Sequence, residues 1–175
     1  MADADVLFAE HRQGVFRYLC RIVGQTDTAH DLTQEVFLRV SRTRVPDADA
    51  AGRRAWVFRI ARNLALNHVR DEQRRPSSGA MPLAETSEPA TQELAVAIAQ
   101  ALASLQDLDR DVFLLRETAG LSYDEIAATC DLTIEAVRAR LHRARVTLRE
   151  ALDGSIRAQP RRFVSIGTRE RGDRP

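Results

Sequence analysis

The densest chemistry in this chain is a run of cations near its C-terminal end. Arg138, Arg140, His142, Arg143, Arg145 and Arg149 follow one another, and no acidic residue lies between Val137 and Arg149. A guanidinium is a flat fork of N–H donors that matches phosphate oxygens and the O6/N7 edge of guanine, so the run suits a polyanion. A second set, Arg59, Asn63, Asn67, Arg70 and Arg74, recurs at spacings of three and four and forms one helical stripe of the residue types that pair with phosphates and base edges. Catalytic equipment is missing from the pattern. There is no Gly-rich phosphate loop, no nucleophile elbow and no carboxylate pair in an apolar setting, so an enzyme is not expected. The histidines and cysteines show no ligand spacing, so neither a metal nor a cofactor is expected. Asp107, Asp109 and Asp111 lack the Gly and the closing Glu of a calcium loop, and helix capping accounts for them better.

The elements around the cationic run can be read locally. Ser122 and Glu125 stand three apart, as in a capping box, which predicts a helix from Tyr123 with Ile126, Ala127 and Cys130 on its apolar face. Asp131 breaks it. Thr133 is suited to cap a second helix that buries Val137, Leu141, Ala144 and Leu148 and leaves the cations outside. Two short helices joined by a tight turn, the second basic, are the pattern that lays a recognition helix in the major groove. A basic helical face alone is more often a solvated surface. Here the acids Asp124, Glu125, Asp131 and Glu135 all precede Val137 and the cations all follow it, an arrangement that favours DNA over mere solubility.

Composition sets the outer bounds. The chain has 175 residues, 44% hydrophobic and 29% charged, with a net charge of +1, which describes a globular protein of one or two small domains. Affinity for nucleic acid must therefore come from clustering, and residues 76–121 are predominantly acidic whereas Arg is in excess elsewhere. Every basic residue of the Lys+Arg class is Arg. Cys20 and Cys130 each lie on an apolar helical face and read as buried free thiols, in keeping with a reducing cytoplasm. No apolar run reaches a membrane span and the first residues are acidic, so neither membrane insertion nor a signal peptide is indicated and a cytoplasmic location is expected.

Helical periodicity runs from Asp5 to Val23 and ends at Gly24. A second helix, capped by Asp27 or Thr28, carries Ala29, Leu32, Val36, Phe37 and Val40 inward and Asp31, Gln34, Glu35 and Arg39 outward. Residues 41–54 lack a period and read as a long loop. A third helix over 55–73 turns Trp56, Val57, Ile60, Leu64 and Val69 inward. Residues 76–93, rich in Pro and Ser, read as a flexible linker. Periodicity resumes with Leu94, Ile98, Leu102 and Leu105, and again with Val112, Leu115 and Ala119 up to Gly120. The expected architecture is all-α: a helical domain over 1–75, the linker, a helix-turn-helix domain over 94–153, and a basic, unstructured tail over 154–175.

These motifs resemble, in order, those of the extracytoplasmic-function sigma factors of bacterial RNA polymerase. HDLTQEVFLRV from His30 is similar to the D-x-x-Q-E-x-F segment of sigma region 2, and AWVFRIARNLALNHVR from Ala55 to its W-x-x-x-I-A-x-N segment. RDVFLLRETAGLSYDEIA followed by VRARLHRAR resembles region 4. The resemblance implies that Asp31, Gln34 and Glu35 dock on the polymerase core. It further implies that the 41–54 segment, with Arg53 and Arg54, and the stripe Arg59, Asn63, Asn67 and Arg70 engage the minus-10 element. Arg138, Ala139, Arg140, His142, Arg143 and Arg145 then serve the minus-35 element, and an anti-sigma factor becomes an expected partner. Glu135 and Ala136 stand where the family usually has a small or Gly-Thr pair, Ala139 where it has Ser, and Gln106 near a usual Pro. The other reading is an autonomous helix-turn-helix regulator with an N-terminal helical sensor or dimerisation domain, which leaves the Arg59–Arg74 stripe without a use.

Overall fold

An apolar stripe on a helix must find another to cover it, and the first three helices cover one another. The computed structural model describes residues 2–74 and 89–158, of which 2, 89–94 and 154–158 by backbone alone. α1 (Ala2–Val23), α2 (Thr26–Arg42) and α3 (Ala50–Arg74) pack pairwise. Val15, Tyr18 and Leu19 of α1, Val36, Phe37 and Val40 of α2, and Val57, Phe58, Ala61 and Leu64 of α3 form their shared core. Gly14 lets α1 approach α3, because a Cβ there would lie 3.3 Å from Cζ of Phe58. Gly24 ends α1 in the left-handed region (φ 74°), as its position in the sequence implies.

Boundaries of α2 and α3 differ from expectation. The cap of α2 is Gln25, whose side chain makes no capping bond; Ala29 N donates to Gln25 O, which closes the first turn ahead of Asp27 and Thr28. The long loop expected over 41–54 shrinks to 43–49. Asp49 Oδ1 accepts from Gly52 N at 2.8 Å, and this bond starts α3 at Ala50, so that Arg53 and Arg54 are helical.

The second half holds α4 (Pro89–Ala103), α5 (Asp107–Glu117), α6 (Tyr123–Cys130) and α7 (Ile134–Ala158). α4 begins at a Pro, the residue best tolerated in a first turn, which draws the end of the expected linker into the helix; residues 76–88 lie outside the described residues. Ile98, expected inside, is 36% exposed; α4 packs on α7 and buries Ala101, while Leu105, just past its end, is buried as well. The capping box of Ser122 and Glu125 is present in both directions, Ser122 Oγ accepting from Glu125 N and Glu125 Oε2 from Ser122 N. Asp131 terminates α6 in the left-handed region (φ 59°), and Thr133 Oγ1 accepts from Ala136 N at 3.2 Å. α7 then continues past Gly154, so residues 154–158 are helical where an unstructured tail was expected. One Gly costs a helix about 1 kcal/mol, which the preceding turns can offset. Residues 159–175 lie outside the described residues.

The two halves touch. α6 packs along α3 and α5 meets α1, and Val112, Leu115, Leu121 and Ile126 belong to the same buried cluster as the core of α1–α3. Among the described residues there is no strand, and no helix is long and apolar enough to cross a membrane.

Candidate nucleic-acid interface

The 3.6-residue repeat of α7 turns Val137, Leu141 and Ala144 into the core and rotates the cations outward. Arg138, Ala139 and His142 face solvent, as expected of a reading surface. Arg143 is also exposed, yet its Nε donates to Asp109 Oδ2 at 3.0 Å and its Nη2 to Oδ1 at 3.2 Å. Arg140 turns inward. Its side chain is only 25% exposed, its Nη1 donates to Asp109 Oδ1 at 2.8 Å, and its Nε is buried without a partner. Arg145 Nη2 donates to Glu117 Oε1 at 2.9 Å. Asp109 is therefore more than a helix cap: it is buried and receives two arginines of the other helix. Burial pushes its carboxyl up, but the hydrogen bonds and charges of Arg143 and Arg140 outweigh this and hold it below the ordinary range.

On α3, Arg59, Asn63, Asn67 and Arg70 share an exposed face, as the spacing predicted. The N-terminal end of that face meets α6. Arg54 Nη2 donates to Ala119 O at 2.6 Å and its Nη1 lies 3.5 Å from Glu125 Oε1, while Arg59 Nη2 donates to Ala128 O. Thr129 Oγ1 donates to Ala55 O at 3.2 Å on the same seam. Arg53 is half-buried. Asn63, Asn67 and Arg70 stay clear of this contact.

Deeper in the seam, Asp111 accepts from Tyr18 Oη and from Arg62 Nε, tying α1, α3 and α5 together. Like Asp109, it was expected to cap a helix and is instead a buried acceptor. Tyr18 is held far above its ordinary pKa, first by burial and then by the Asp111 charge. Burial alone would lower the Arg62 pKa, but Asp111 more than compensates. Cys130 lies close by, half-buried and free; burial, reinforced by Asp111, pushes its thiol up to about 12. Cys20 is likewise free and half-buried, and raised by burial.

The candidates for docking on the polymerase core lie on α2. Asp31 and Gln34 are exposed, and Glu35 is half-exposed with Arg39 Nε donating to its Oε1 at 2.7 Å. Beside them runs a groove of about 380 Å³ between α1 and α2, lined by Phe8, Phe16, His30, Thr33 and Gln34. Its aromatic lining was not singled out in the sequence, since Phe8 and Phe16 have the spacing of core residues.

A basic helix-turn-helix is thus packed against a three-helix unit with its own Arg/Asn stripe and acidic face. The Sigma-70 region 2 family matches residues 7–75 and the Sigma-70 region 4 family residues 95–148. The chain is 35% identical over 162 residues to the ECF RNA polymerase sigma factor SigE of Mycolicibacterium smegmatis, covering 87% of this chain and 62% of that protein's length. It is 30% identical to the ECF RNA polymerase sigma-E factor of Escherichia coli, covering 90% of this chain and 88% of the relative. Among solved structures it is similar to CnrH in complex with the cytosolic domain of CnrY, with a TM-score of 0.66 and 26% identity over 86% of this chain and 88% of the other. The sigma factor RpoE in complex with the anti-sigma factor NepR from Bartonella quintana shares the fold, with a TM-score of 0.69 and 23% identity over 87% of this chain and 98% of that one. The chain belongs to the extracytoplasmic-function sigma factors.

Proposed function

We propose that this chain joins the RNA polymerase core in the cytoplasm and directs it to promoters without catalysing a reaction itself. The observation that carries this reading is the presence, on one region 2–region 4 framework, of two exposed cationic faces and a separate acidic face. Asp31, Gln34 and Glu35 dock on the core. Arg53, Asn63, Asn67 and Arg70 engage the minus-10 element, joined by Arg54 and Arg59 once their bonds to Ala119 and Ala128 open, and Arg138, Ala139, His142 and Arg143 face the minus-35 element. Arg140 and Arg145, each held by an acidic partner, support that face and offer their remaining donors to phosphate. An anti-sigma factor is the partner expected to restrain the protein, given that two related folds were solved with such a restraint or a cytosolic domain bound.

Charge reversal at Asp31 and Glu35 tests the docking. It should weaken association with core polymerase and reduce initiation at every promoter alike while helix content stays native. Unchanged association with core would reject the docking face; initiation that needs no added chain, or needs a second sigma, would instead favour the autonomous regulator.

A further inference from the structure

Arg143 is exposed and lies on the side of α7 that would face DNA, yet it is already bonded to a carboxylate. The details of that bond decide whether it competes with DNA or prepares for it. A guanidinium has two edges with paired donors: the side edge, formed by Nε and Nη2, and the end edge, formed by Nη1 and the second hydrogen of Nη2. Asp109 takes the side edge, Nε to Oδ2 at 3.0 Å and Nη2 to Oδ1 at 3.2 Å. The end edge is left over. Its two parallel N–H donors match guanine O6 and N7, the pair to which arginine most often forks.

We propose that Asp109 is the positioning residue for base readout by Arg143, holding the guanidinium by its side edge so that its end edge is presented to a guanine of the upstream promoter element. The proposal rests on the reading of α7 as the minus-35 helix. Several features make Asp109 suited to it. Its side chain is 6% exposed and anchored in the first turn of α5, so it moves little with solvent. A free arginine loses several rotors on binding a base, and a preformed fork removes most of that cost beforehand. Arg140 holds the same carboxylate from the other side, Nη1 to Oδ1 at 2.8 Å, and this fixes the plane in which Arg143 must lie. Two guanidinium groups on one carboxylate leave the cluster with net positive charge, so the support does not repel the phosphates. Arg138, one turn and a little earlier on α7, faces solvent and has no carboxylate in the same role. It therefore supplies the comparison: a reading arginine without a buttress.

The experiment uses the full chain bound to core RNA polymerase and a pool of duplex DNA randomised over the promoter region, sequenced after selection. The unaltered protein should enrich guanine at one upstream position that Arg143→Ala abolishes. Asp109→Asn, which keeps the side-chain shape and one acceptor, should relax preference at that same position roughly tenfold and leave the position lost in Arg138→Ala intact. In the double variant Asp109→Asn with Arg143→Ala, discrimination should fall no further than in Arg143→Ala alone, because both act through one contact. If Asp109→Asn does not fold, Asp109→Glu, which keeps the charge but displaces it by a methylene, should give the same position-specific relaxation. Base preferences unchanged in a folded Asp109 variant, or weakened equally at all positions, would reduce Asp109 to a structural ion pair and overturn the proposal. Loss of no position in Arg143→Ala would overturn it as well by removing the reader. An unaltered protein that selects no upstream sequence would refute the minus-35 reading itself.

Discussion

α3 and α7 are both helices of 25 residues with a polar, arginine-bearing face, but they spend their donors differently. On α3 the leading arginines bond backbone carbonyls of the other half, Arg54 to Ala119 and Arg59 to Ala128, with Glu125 also beside Arg54. On α7 the arginines that are held are held by carboxylates, and Arg138 and His142 remain open. A carbonyl partner covers the guanidinium with another piece of chain, whereas a carboxylate placed at its side orients it and leaves an edge free. Two arginine-bearing faces can thus differ in use, one engaged by the other half at its N-terminal end and the other oriented along its length.

The hub that covers α3 should give the largest effect when broken. Asp111→Ala leaves Tyr18 and Arg62 buried without their acceptor, and removing one partner of a buried ion pair costs about 3–5 kcal/mol. Denaturant unfolding should show that loss, and at temperatures where the variant stays folded its affinity for single-stranded DNA should rise as Arg54 and Arg59 are freed. Unchanged single-strand affinity would mean that the seam does not limit the α3 face. Leu141→Ala removes a fully buried side chain from beneath α7 and should cost about 2–5 kcal/mol, weakening every duplex equally instead of changing base preference.

Smaller effects sharpen the α7 side. Asp109 has a lower pKa folded than unfolded, so its contribution to stability is present above the ordinary carboxylate value and is lost as pH falls through the folded one. Asp109→Asn should therefore flatten the acid limb of the stability curve below about pH 4, with little change in its slope near neutrality. Urea unfolding at a series of pH values would measure this. Ser122→Ala removes one arm of the capping box and should cost about 0.5–2 kcal/mol, seen as earlier melting without altered promoter preference.

What the sequence made legible was local. Ser122 and Glu125, Asp131 and Thr133 each act within four residues, and the cap, the left-handed turn and the second cap all lie where their residue types predict. The apolar periods of α1, α2 and α7 placed most of the core for the same reason. Asp109 and Asp111 were misread as helix caps because their partners are distant: Arg140 and Arg143 for one, Tyr18 and Arg62 for the other. Nothing in a spacing of two residues says that adjacent carboxylates on one helix will serve opposite neighbours. The loop over 41–54 was overestimated because Gly52 reads as a breaker, although its amide is the donor that Asp49 uses to start α3.

Cys130 carries a consequence for the handling of oxidants. The nucleophile toward peroxides and disulfides is the thiolate, and with its pKa pushed up to about 12 Cys130 stays protonated at neutral pH. In this arrangement the thiol is nearly inert. The shift comes first from burial and then from Asp111, with Arg62, Arg140 and Arg59 opposing it, so separation of α6 from α3 should return the thiol toward ordinary reactivity. The rate at which Cys130 reacts with a disulfide reagent, compared between the free chain and the polymerase-bound chain, would then act as a clock for how often the seam between the two halves opens.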